Sequence, residues 1–192
     1  MAIGVLALQG AVKEHIQSLR RLGVEAREVR TPQQLEGVGG VILPGGESTT
    51  LGKLMERIGL DRALVDFAAA GKPILGTCAG MILMARAVEG LSQPLLGLMD
   101  IVVRRNAFGR QVESFEQDLE IAHLDGKKFR AVFIRAPYIV EAGPEVEVMA
   151  QVEGNPVLAR QGKLVAAAFH PELTDDLRLH KLLVEMAEGG EI

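Results

Sequence analysis

The first half of the chain alternates short apolar runs with longer amphipathic stretches. The apolar runs have the length of buried strands, whereas the amphipathic stretches repeat apolar residues at the spacing of a helix face. In residues 11–22, for example, Val12, Ile16 and Leu19 share one face. The pattern predicts strands at residues 3–8, 24–29, 40–43 and 73–75, with helices at residues 11–22, 48–58 and 61–70 and from about Ala79.

Three of the connections carry sequences typical of a helix start. Thr31 followed by Pro32 fits an N-cap with proline at the first helical position. Ser48 and Asp61 are expected to cap the next two helices. These signals support the alternation of strands and helices.

Such alternation predicts parallel pairing in a doubly wound sheet. In sheets of this kind, ligands bind beyond the carboxyl ends of the strands. Gly45-Gly46 and the segment at residues 76–80 both follow predicted strands and therefore fall at that edge. They are the first indication of a shared site.

The second half is richer in short strands separated by turns such as Asp125-Gly126 and Gln161-Gly162. With no repeat or linker, residues 1–192 are expected to form a single domain. The expected fold class is α/β: a doubly wound, flavodoxin-like three-layer sandwich with a mixed, mostly parallel sheet and an antiparallel extension in the second half. Strands are predicted at residues 98–103, 115–121, 129–134, 146–151, 156–160 and 164–169, and a last helix at residues 174–187.

Composition narrows the classes of function. The formal net charge of −4 argues against a nucleic-acid binder, which usually presents a basic face. No apolar run approaches the roughly 20 residues of a membrane span, and the apolar N-terminus lacks the basic flank of a signal peptide. The single cysteine allows no internal disulfide and suits a reducing compartment. We therefore expect a cytoplasmic protein that binds neither nucleic acid nor membranes.

The cysteine, Cys78, lies in Gly76-Thr77-Cys78-Ala79-Gly80, between a predicted strand and a predicted helix. A sharp strand-to-helix turn presents a nucleophile at the edge of the sheet, and flanking glycines relieve crowding around the strained residue. The helix start also favours the reactive thiolate. A buried core cysteine is the alternative, but its context favours a nucleophile.

A thiol nucleophile needs a base to take its proton and to protonate the leaving group. His170 follows the apolar run at residues 165–169 and is expected on the same edge as Cys78. In His170-Pro171-Glu172, proline holds the preceding residue extended, and residues two apart then point to the same side. Glu172 could thus orient the imidazole as the acidic member of a triad. The alternative is a simple turn with a solvated glutamate.

The segment Pro44-Gly45-Gly46-Glu47-Ser48 follows another predicted strand. A tetrahedral intermediate needs backbone N–H donors aimed at its oxyanion, and paired glycines let the backbone approach closely. We expect the amides of Gly46 and Ala79 to form this oxyanion hole, although an ordinary tight turn would have the same sequence. The segment does not match a phosphate-binding loop, and the scattered histidines indicate no metal site.

Together these motifs resemble the triad-type (class I) glutamine amidotransferases, and among them the glutaminase subunits of pyridoxal 5'-phosphate synthases. The similarity extends over nearly the whole chain, and two of its segments are much more specific than the triad. Those two are Glu47-Ser48-Thr49-Thr50 and the stretch from Arg105 to Gln111. The other matching segments are at residues 4–10, 43–46, 76–80, 133–137 and 169–173.

The resemblance implies hydrolysis of L-glutamine to L-glutamate and ammonia through a γ-glutamyl thioester, with Cys78 as nucleophile, His170 as base and Glu172 as its partner. An arginine fork suits the α-carboxylate of the substrate, but the sequence leaves open whether Arg105 or Arg135 provides it, or acts through its backbone. The residues implied to line the glutamine site are Gly46, Glu47, Ser48, Arg105, Ile134 and Arg135.

The resemblance also implies a partner. Ammonia in water is mostly protonated at neutral pH and then is not a nucleophile, so a dedicated glutaminase suits docking on a synthase with a dry passage between them. In this family the partner is a ring-forming barrel protein, the synthase subunit that builds pyridoxal 5'-phosphate and accepts the ammonia. The glutaminase itself is expected to need no cofactor.

Two other functions are compatible with parts of the sequence. One is the glutaminase subunit of another amidotransferase, such as that of histidine biosynthesis, against which the segments at residues 47–50 and 105–111 argue. The other is a non-catalytic cysteine sensor or chaperone on a similar fold. Such a protein needs no histidine–acid pair, so His170-Pro171-Glu172 argues against it.

Overall fold

A computed structural model describes residues 1–108, 113–124 and 126–190. Its helices are α1 (Val12–Arg21), α2 (Ser48–Ile58), α3 (Leu60–Ala69), α4 (Ala79–Met84) and α5 (Arg178–Ala187), with 3-10 turns at Pro32–Leu35 and Pro171–Leu173. Its strands are β1 (Ala2–Leu6), β2 (Glu25–Val29), β3 (Val38–Leu43), β4 (Ile74–Thr77), β5 (Ala85–Val88), β6 (Met99–Arg104), β7 (Ser114–Leu119), β8 (Phe129–Ile134), β9 (Tyr138–Ala142), β10 (Glu147–Val152), β11 (Asn155–Gln161) and β12 (Leu164–Ala167).

The central sheet has seven strands in the order β10-β11-β12-β4-β3-β1-β2. The five strands from β12 to β2 pair in parallel, whereas β10 and β11 add an antiparallel edge. The sheet therefore confirms the mixed, mostly parallel arrangement with an antiparallel extension. Two smaller groups, β5-β6-β9 and the hairpin β7-β8, flank it.

Helices cover the central sheet and complete the three-layer sandwich. α1 and α5 contact each other and lie against β1, β2 and β3, while α4 contacts α2 and lies against β3, β4 and β12. Strand β1 is buried at every position, as a parallel strand between two helical layers requires. None of the helices in the described ranges is long and apolar enough to cross a membrane.

Two predicted helix caps are wrong. Ser48 is the first residue of α2, and the cap is Glu47, whose carboxylate accepts the Thr50 N–H at 2.8 Å. Gly59, with φ of 73°, ends α2 and begins α3 directly, which leaves Asp61 in the first turn of α3. Glutamate can act as a cap at this position because its carboxylate accepts a free N–H of the first turn. Its negative charge is also favourable at the helix N-terminus.

The structure adds two strands that the apolar pattern did not predict, β5 and β9. The last helix also begins at Arg178 and not at residue 174. The reason is a 3-10 turn at Pro171–Leu173, after which the Thr174 hydroxyl donates to the Pro171 carbonyl. The chain therefore bends sharply just past His170, before it enters α5.

Candidate active site

Cys78 forms the sharp turn between β4 and α4. Its φ of 49° and ψ of −103° lie outside the backbone conformations that residues other than glycine usually adopt. The turn is anchored because the Cys78 N–H donates to the carbonyl of Ala167, on the neighbouring strand β12, at 2.8 Å. The thiol is 8% exposed and lies 3.9 Å from the carbonyl oxygen of Ile134. A strained, anchored backbone at a strand end is the geometry of a nucleophile elbow.

The glycines on either side of the elbow are required by close contacts. A Cβ on Gly80 would lie 2.0 Å from the carbonyl oxygen of Leu43, and one on Gly76 would lie 2.7 Å from the carbonyl of Gly80. Any larger residue would push α4 away from β3 and β4. Both glycines thus permit the turn that presents Cys78.

His170 and Glu172 lie beside the elbow, three and five residues beyond the end of β12. The His170 N–H donates to the Val132 carbonyl on β8 at 2.8 Å, which fixes the backbone. The Nδ1 atom of His170 lies 2.7 Å from Oε1 of Glu172, and both residues are buried. The structure therefore brings together the three side chains that the sequence assigned to a triad.

The contacts of His170 favour the charged form of its imidazole. Burial alone would lower the pKa of His170, but contacts with Cys78 and Glu172 outweigh it and raise the pKa to about 10. At neutral pH His170 is therefore an imidazolium held between a carboxylate and a sulfur.

A cavity of about 400 Å³ opens onto Cys78 and His170. Every residue that the sequence assigned to glutamine binding or to the oxyanion hole lines it: Gly46, Glu47, Ser48, Ala79, Arg105, Ile134 and Arg135. Their roles there stay predictions. Gln9, Gly10, Ala11, Ile82 and Asn106 also line it without having been assigned a role, as does Gly45, which the sequence placed at this edge of the sheet.

Gly45 is closer to the reacting side chains than the sequence indicated. A Cβ on Gly45 would lie 2.5 Å from Cε1 of His170 and 3.4 Å from Cβ of Cys78, whereas one on Gly46 would meet Gln9 and Leu51. The carbonyl oxygen of Gly45 packs against Gly10, where a Cβ would lie only 1.7 Å away. The position of Gly10 after β1 was the only sequence signal for this contact.

One wall of the cavity is a polar cluster at the start of α2. Arg105 donates from Nη2 to Glu47 at 3.0 Å and from Nη1 to Gln93 at 3.2 Å. Burial alone would raise the pKa of Glu47, but hydrogen bonds from Thr50 and the charge of Arg105 outweigh it and lower the pKa. Gln93 also receives a contact from Thr49 and was missed, because nothing in its sequence context marks it. Arg105 is thus held at the cavity with its charge paired to that of Glu47.

Arg135 is placed differently. It is exposed, has a φ of 43°, and its backbone N–H donates to the Glu113 carbonyl at 2.6 Å. Of the specific segment that begins at Arg105, Gly109, Arg110 and Gln111 lie outside the described residues. Within the described residues, no group of three or more His, Cys, Asp or Glu side chains is arranged to hold a metal ion.

Comparisons with known proteins agree with this geometry. Residues 5–189 match the model of the SNO glutamine amidotransferase family. Pyridoxal 5'-phosphate synthase subunit PdxT of Pelotomaculum thermopropionicum is 58% identical over 185 residues, covering 96% of this chain and 94% of that protein. The subunit of the same name from Carboxydothermus hydrogenoformans is 55% identical over 190 residues, covering 99% of this chain and 100% of that protein.

Solved structures show the same fold. A crystal structure described as a glutamine amidotransferase superposes with a TM-score of 0.93 at 50% identity, covering 97% of this chain and 98% of that one. PurLQS from Thermotoga maritima superposes with a TM-score of 0.72 at 17% identity, covering 96% of this chain and 97% of that one, and shares the fold alone.

Proposed function

This chain belongs to the SNO glutamine amidotransferase family, and we propose that it is the glutaminase subunit of a pyridoxal 5'-phosphate synthase. It hydrolyses L-glutamine to L-glutamate and ammonia. The observation that carries the proposal is the arrangement of Cys78, His170 and Glu172 beside a cavity walled by Arg105 and Glu47. Neither of the other functions considered from the sequence is favoured by the family match.

In the first half of the reaction, the thiolate of Cys78 attacks the side-chain amide carbon of glutamine. The carbonyl electron pair moves to oxygen, and the backbone amides of Gly46 and Ala79 stabilise the oxyanion. The His170 imidazolium donates its proton to the nitrogen as the C–N bond breaks. Ammonia leaves, and a γ-glutamyl thioester remains on Cys78.

In the second half, the now neutral His170 takes a proton from a water molecule, which attacks the thioester carbon. The C–S bond breaks, glutamate leaves with its γ-carboxyl group protonated and then releases that proton to solvent, and the thiolate–imidazolium pair is restored. Glu172 keeps its hydrogen bond to Nδ1 throughout, so that Nε2 is the atom that exchanges protons. The protons and bonds balance with water as the only co-reactant, and none of these steps calls on a cofactor.

The acceptor of the ammonia is the synthase subunit of the same enzyme, the ring-forming barrel protein. The two relatives described above are each named as one subunit of a synthase, which supports a complex of this kind. We place the reaction in the cytoplasm because a single reduced cysteine suits that compartment.

The decisive experiment is a glutaminase assay of the purified chain with its synthase subunit. Cys78→Ala should abolish glutamate release, because Cys78 is the only thiol of the chain and no other residue can form the thioester. The fold and the complex should stay intact. A glutamine-like electrophile should add one label, at Cys78, and none to Cys78→Ala. Glutamate release by Cys78→Ala at the wild-type rate would refute the proposal.

A further inference from the structure

Two histidines that the proposed reaction does not use lie behind the triad. His15 on α1 and His180 on α5 are both 0% exposed. An imidazole carries two polar nitrogens, and burying them is unfavourable unless they find partners. Their partners therefore indicate what they do.

The contacts form a continuous path to the triad. Nε2 of His180 lies 2.9 Å from Nδ1 of His15. Nε2 of His15 lies 3.4 Å from Oε2 of Glu172 and 3.2 Å from the hydroxyl of Thr77. The other carboxylate oxygen of Glu172 holds His170. Glu172 is thus approached from one side by His170 and from the other by His15.

The positions of the protons follow from the partners. Burial, together with the charges of His180 and His170, keeps the pKa of His15 well below its usual value, and burial lowers that of His180 to about 4. Both rings are therefore neutral at neutral pH, with one N–H each. The Thr77 hydroxyl can donate or accept, but Oε2 of Glu172 only accepts and no described residue donates a hydrogen bond to it, so we assign the N–H of His15 to Nε2, the nitrogen that faces this oxygen.

That choice determines the rest of the path. With its proton on Nε2, His15 has a lone pair on Nδ1, and His180 must donate to it from its own Nε2. His180 then keeps a lone pair on Nδ1, which has no partner among the described residues, so the path ends there. Every N–H bond in the path points toward Glu172.

We propose that His15 is a positioning residue for the triad and that His180 fixes the His15 tautomer. The inference rests on the proposed glutaminase function. Oε2 of Glu172 has no hydrogen-bond partner among the described residues, and Nε2 of His15 lies 3.4 Å from it. The separation from His15 exceeds that of a good hydrogen bond, so the attraction is mainly that of an N–H dipole for a carboxylate. It restrains the carboxylate so that Oε1 stays aimed at His170.

The contact with Thr77 extends this role. Thr77 is the last residue of β4 and precedes Cys78 in the elbow. His15 therefore touches both the acid that orients the base and the strand end that presents the nucleophile. A side chain in this position can fix the nucleophile relative to the acid and the base. Reaction rates are sensitive to this relative placement.

The test compares two substitutions at His15 in the complex with the synthase. His15→Gln can place an amide N–H near the position of Nε2, whereas His15→Leu fills the space without a donor. We expect His15→Leu to lower kcat roughly 10- to 100-fold with little change in KM, and His15→Gln to retain most of the activity. Leu19→Ala, a buried change on the same helix, should lower stability without this loss of kcat.

A double substitution separates positioning from packing. In a Glu172→Ala background there is no carboxylate to restrain, so adding His15→Leu should remove only the contact with Thr77 and lower kcat by less than it does in the wild-type background. If the two losses multiply in full, or if His15→Leu alone is as active as the wild type, the inference is wrong. A wild-type complex that hydrolyses no glutamine would instead refute the proposed function.

A spectroscopic measurement tests the path without activity. The ¹⁵N shifts of labelled histidine in the wild-type chain should show His15 and His180 neutral at neutral pH, each protonated on Nε2. A charged His15, or a proton on its Nδ1, would contradict the proposed direction of the path. The measurement needs no substitution and therefore holds even if His15→Leu does not fold.

Discussion

The roles of the histidines are set by their surroundings more than by their place in the sequence. His170 and His180 are both buried, yet contacts with Cys78 and Glu172 raise the pKa of His170 to about 10, while burial lowers that of His180 to about 4. One imidazole is thus an acid poised beside a thiol, and the other is a neutral donor. The difference arises from the charged groups within reach.

The assignment of the base can be tested at the same scale. His170→Asn should lower kcat by roughly 100- to 10,000-fold, because it removes the group that moves the proton. Glu172→Gln should have a smaller effect, since the base remains and only its orientation and charge partner are changed. Glutamate release in the synthase complex measures both.

The control for this comparison is His123→Asn. His123 is half exposed and pairs with Glu147, and neither residue lines the cavity, so its loss should leave kcat unchanged. His180 lies on the last helix as predicted but cannot serve, because it is buried against His15. An inactive His123→Asn beside an active His170→Asn would show that the base has been misassigned.

The buried histidines also predict how stability depends on pH. The unfolded chain protonates His180 near the usual 6.5, whereas the folded chain does so only near 4. Between these values the unfolded state binds more protons, so acid lowers the free energy of unfolding. The loss from His180 is roughly 3 kcal/mol, and His15, also lowered, adds to it in the same direction.

Urea unfolding at a series of pH values measures this effect. The free energy of unfolding should fall as the pH drops below 6.5, and the fall should be shallower in His180→Leu, which has no group to protonate there. An equally steep fall in His180→Leu would show that other groups cause the acid sensitivity.

At the scale of elements, the apolar pattern predicts the centre of the main sheet because β1, β3, β4 and β12 are buried at nearly every position. β5 and β9 were missed because only some of their positions are buried, so neither forms a continuous apolar run. The caps of α2 and α3 were misassigned because each helix begins one or more residues earlier than predicted. Glu47 and Gly59 occupy the N-cap positions that the sequence assigned to Ser48 and Asp61. Propensity is a weak guide where tertiary contacts decide.

The site was predictable to the extent that it depends on strand ends. Cys78 and His170 follow adjacent parallel strands, and their proximity follows from topology. The contact of Gly45 with His170 and the path through His15 depend on how a loop and a helix pack, which no local motif encodes. Sequence therefore indicated the reacting groups and missed the groups that support them.

The glycine pair after β3 permits a prediction about this loop. Gly45→Ala would place a Cβ 2.5 Å from Cε1 of His170, so in the isolated chain it should displace the imidazole and lower the basal kcat more than Gly46→Ala, whose Cβ meets Gln9 and Leu51 at 3.3 Å. A displacement of a catalytic group by about 1 Å lowers rates by roughly 100-fold. Measurements of kcat beside thermal unfolding separate this effect from loss of the fold. Equal activities of the two variants would contradict the contact.

At the scale of the molecule, the cavity lies where a partner can influence it. The loop from Gly45 to Glu47 leads directly into α2, and the Glu47 N–H donates to the side chain of Gln9 at 3.1 Å. Gln9 and Gly10 are exposed, so a docked subunit can touch the segment that holds the loop. A glutaminase that is active without its partner would waste glutamine, so activation through such a contact would be useful.

The last prediction concerns activation by the synthase. Adjacent glycines let the peptide between Gly45 and Gly46 rotate at low steric cost. In one orientation the Gly45 carbonyl points at the oxyanion and repels it, and in the other the Gly46 N–H stabilises it. The loss of one such donor lowers rates by about 100- to 1,000-fold. A partner shifts the balance only if it contacts the two loop states differently.

We therefore expect the isolated chain to turn over glutamine slowly and kcat to rise by roughly 100- to 1,000-fold when the synthase is added. Gly46→Ala should suppress the activated rate more than the basal rate, because a Cβ restricts the rotation while leaving the triad in place. Titrating the synthase into a fixed amount of the chain, with binding followed separately, distinguishes weak docking from failed activation. An isolated chain that already works at the rate of the complex, or a Gly46→Ala complex with full activity, would show that the loop is not the switch.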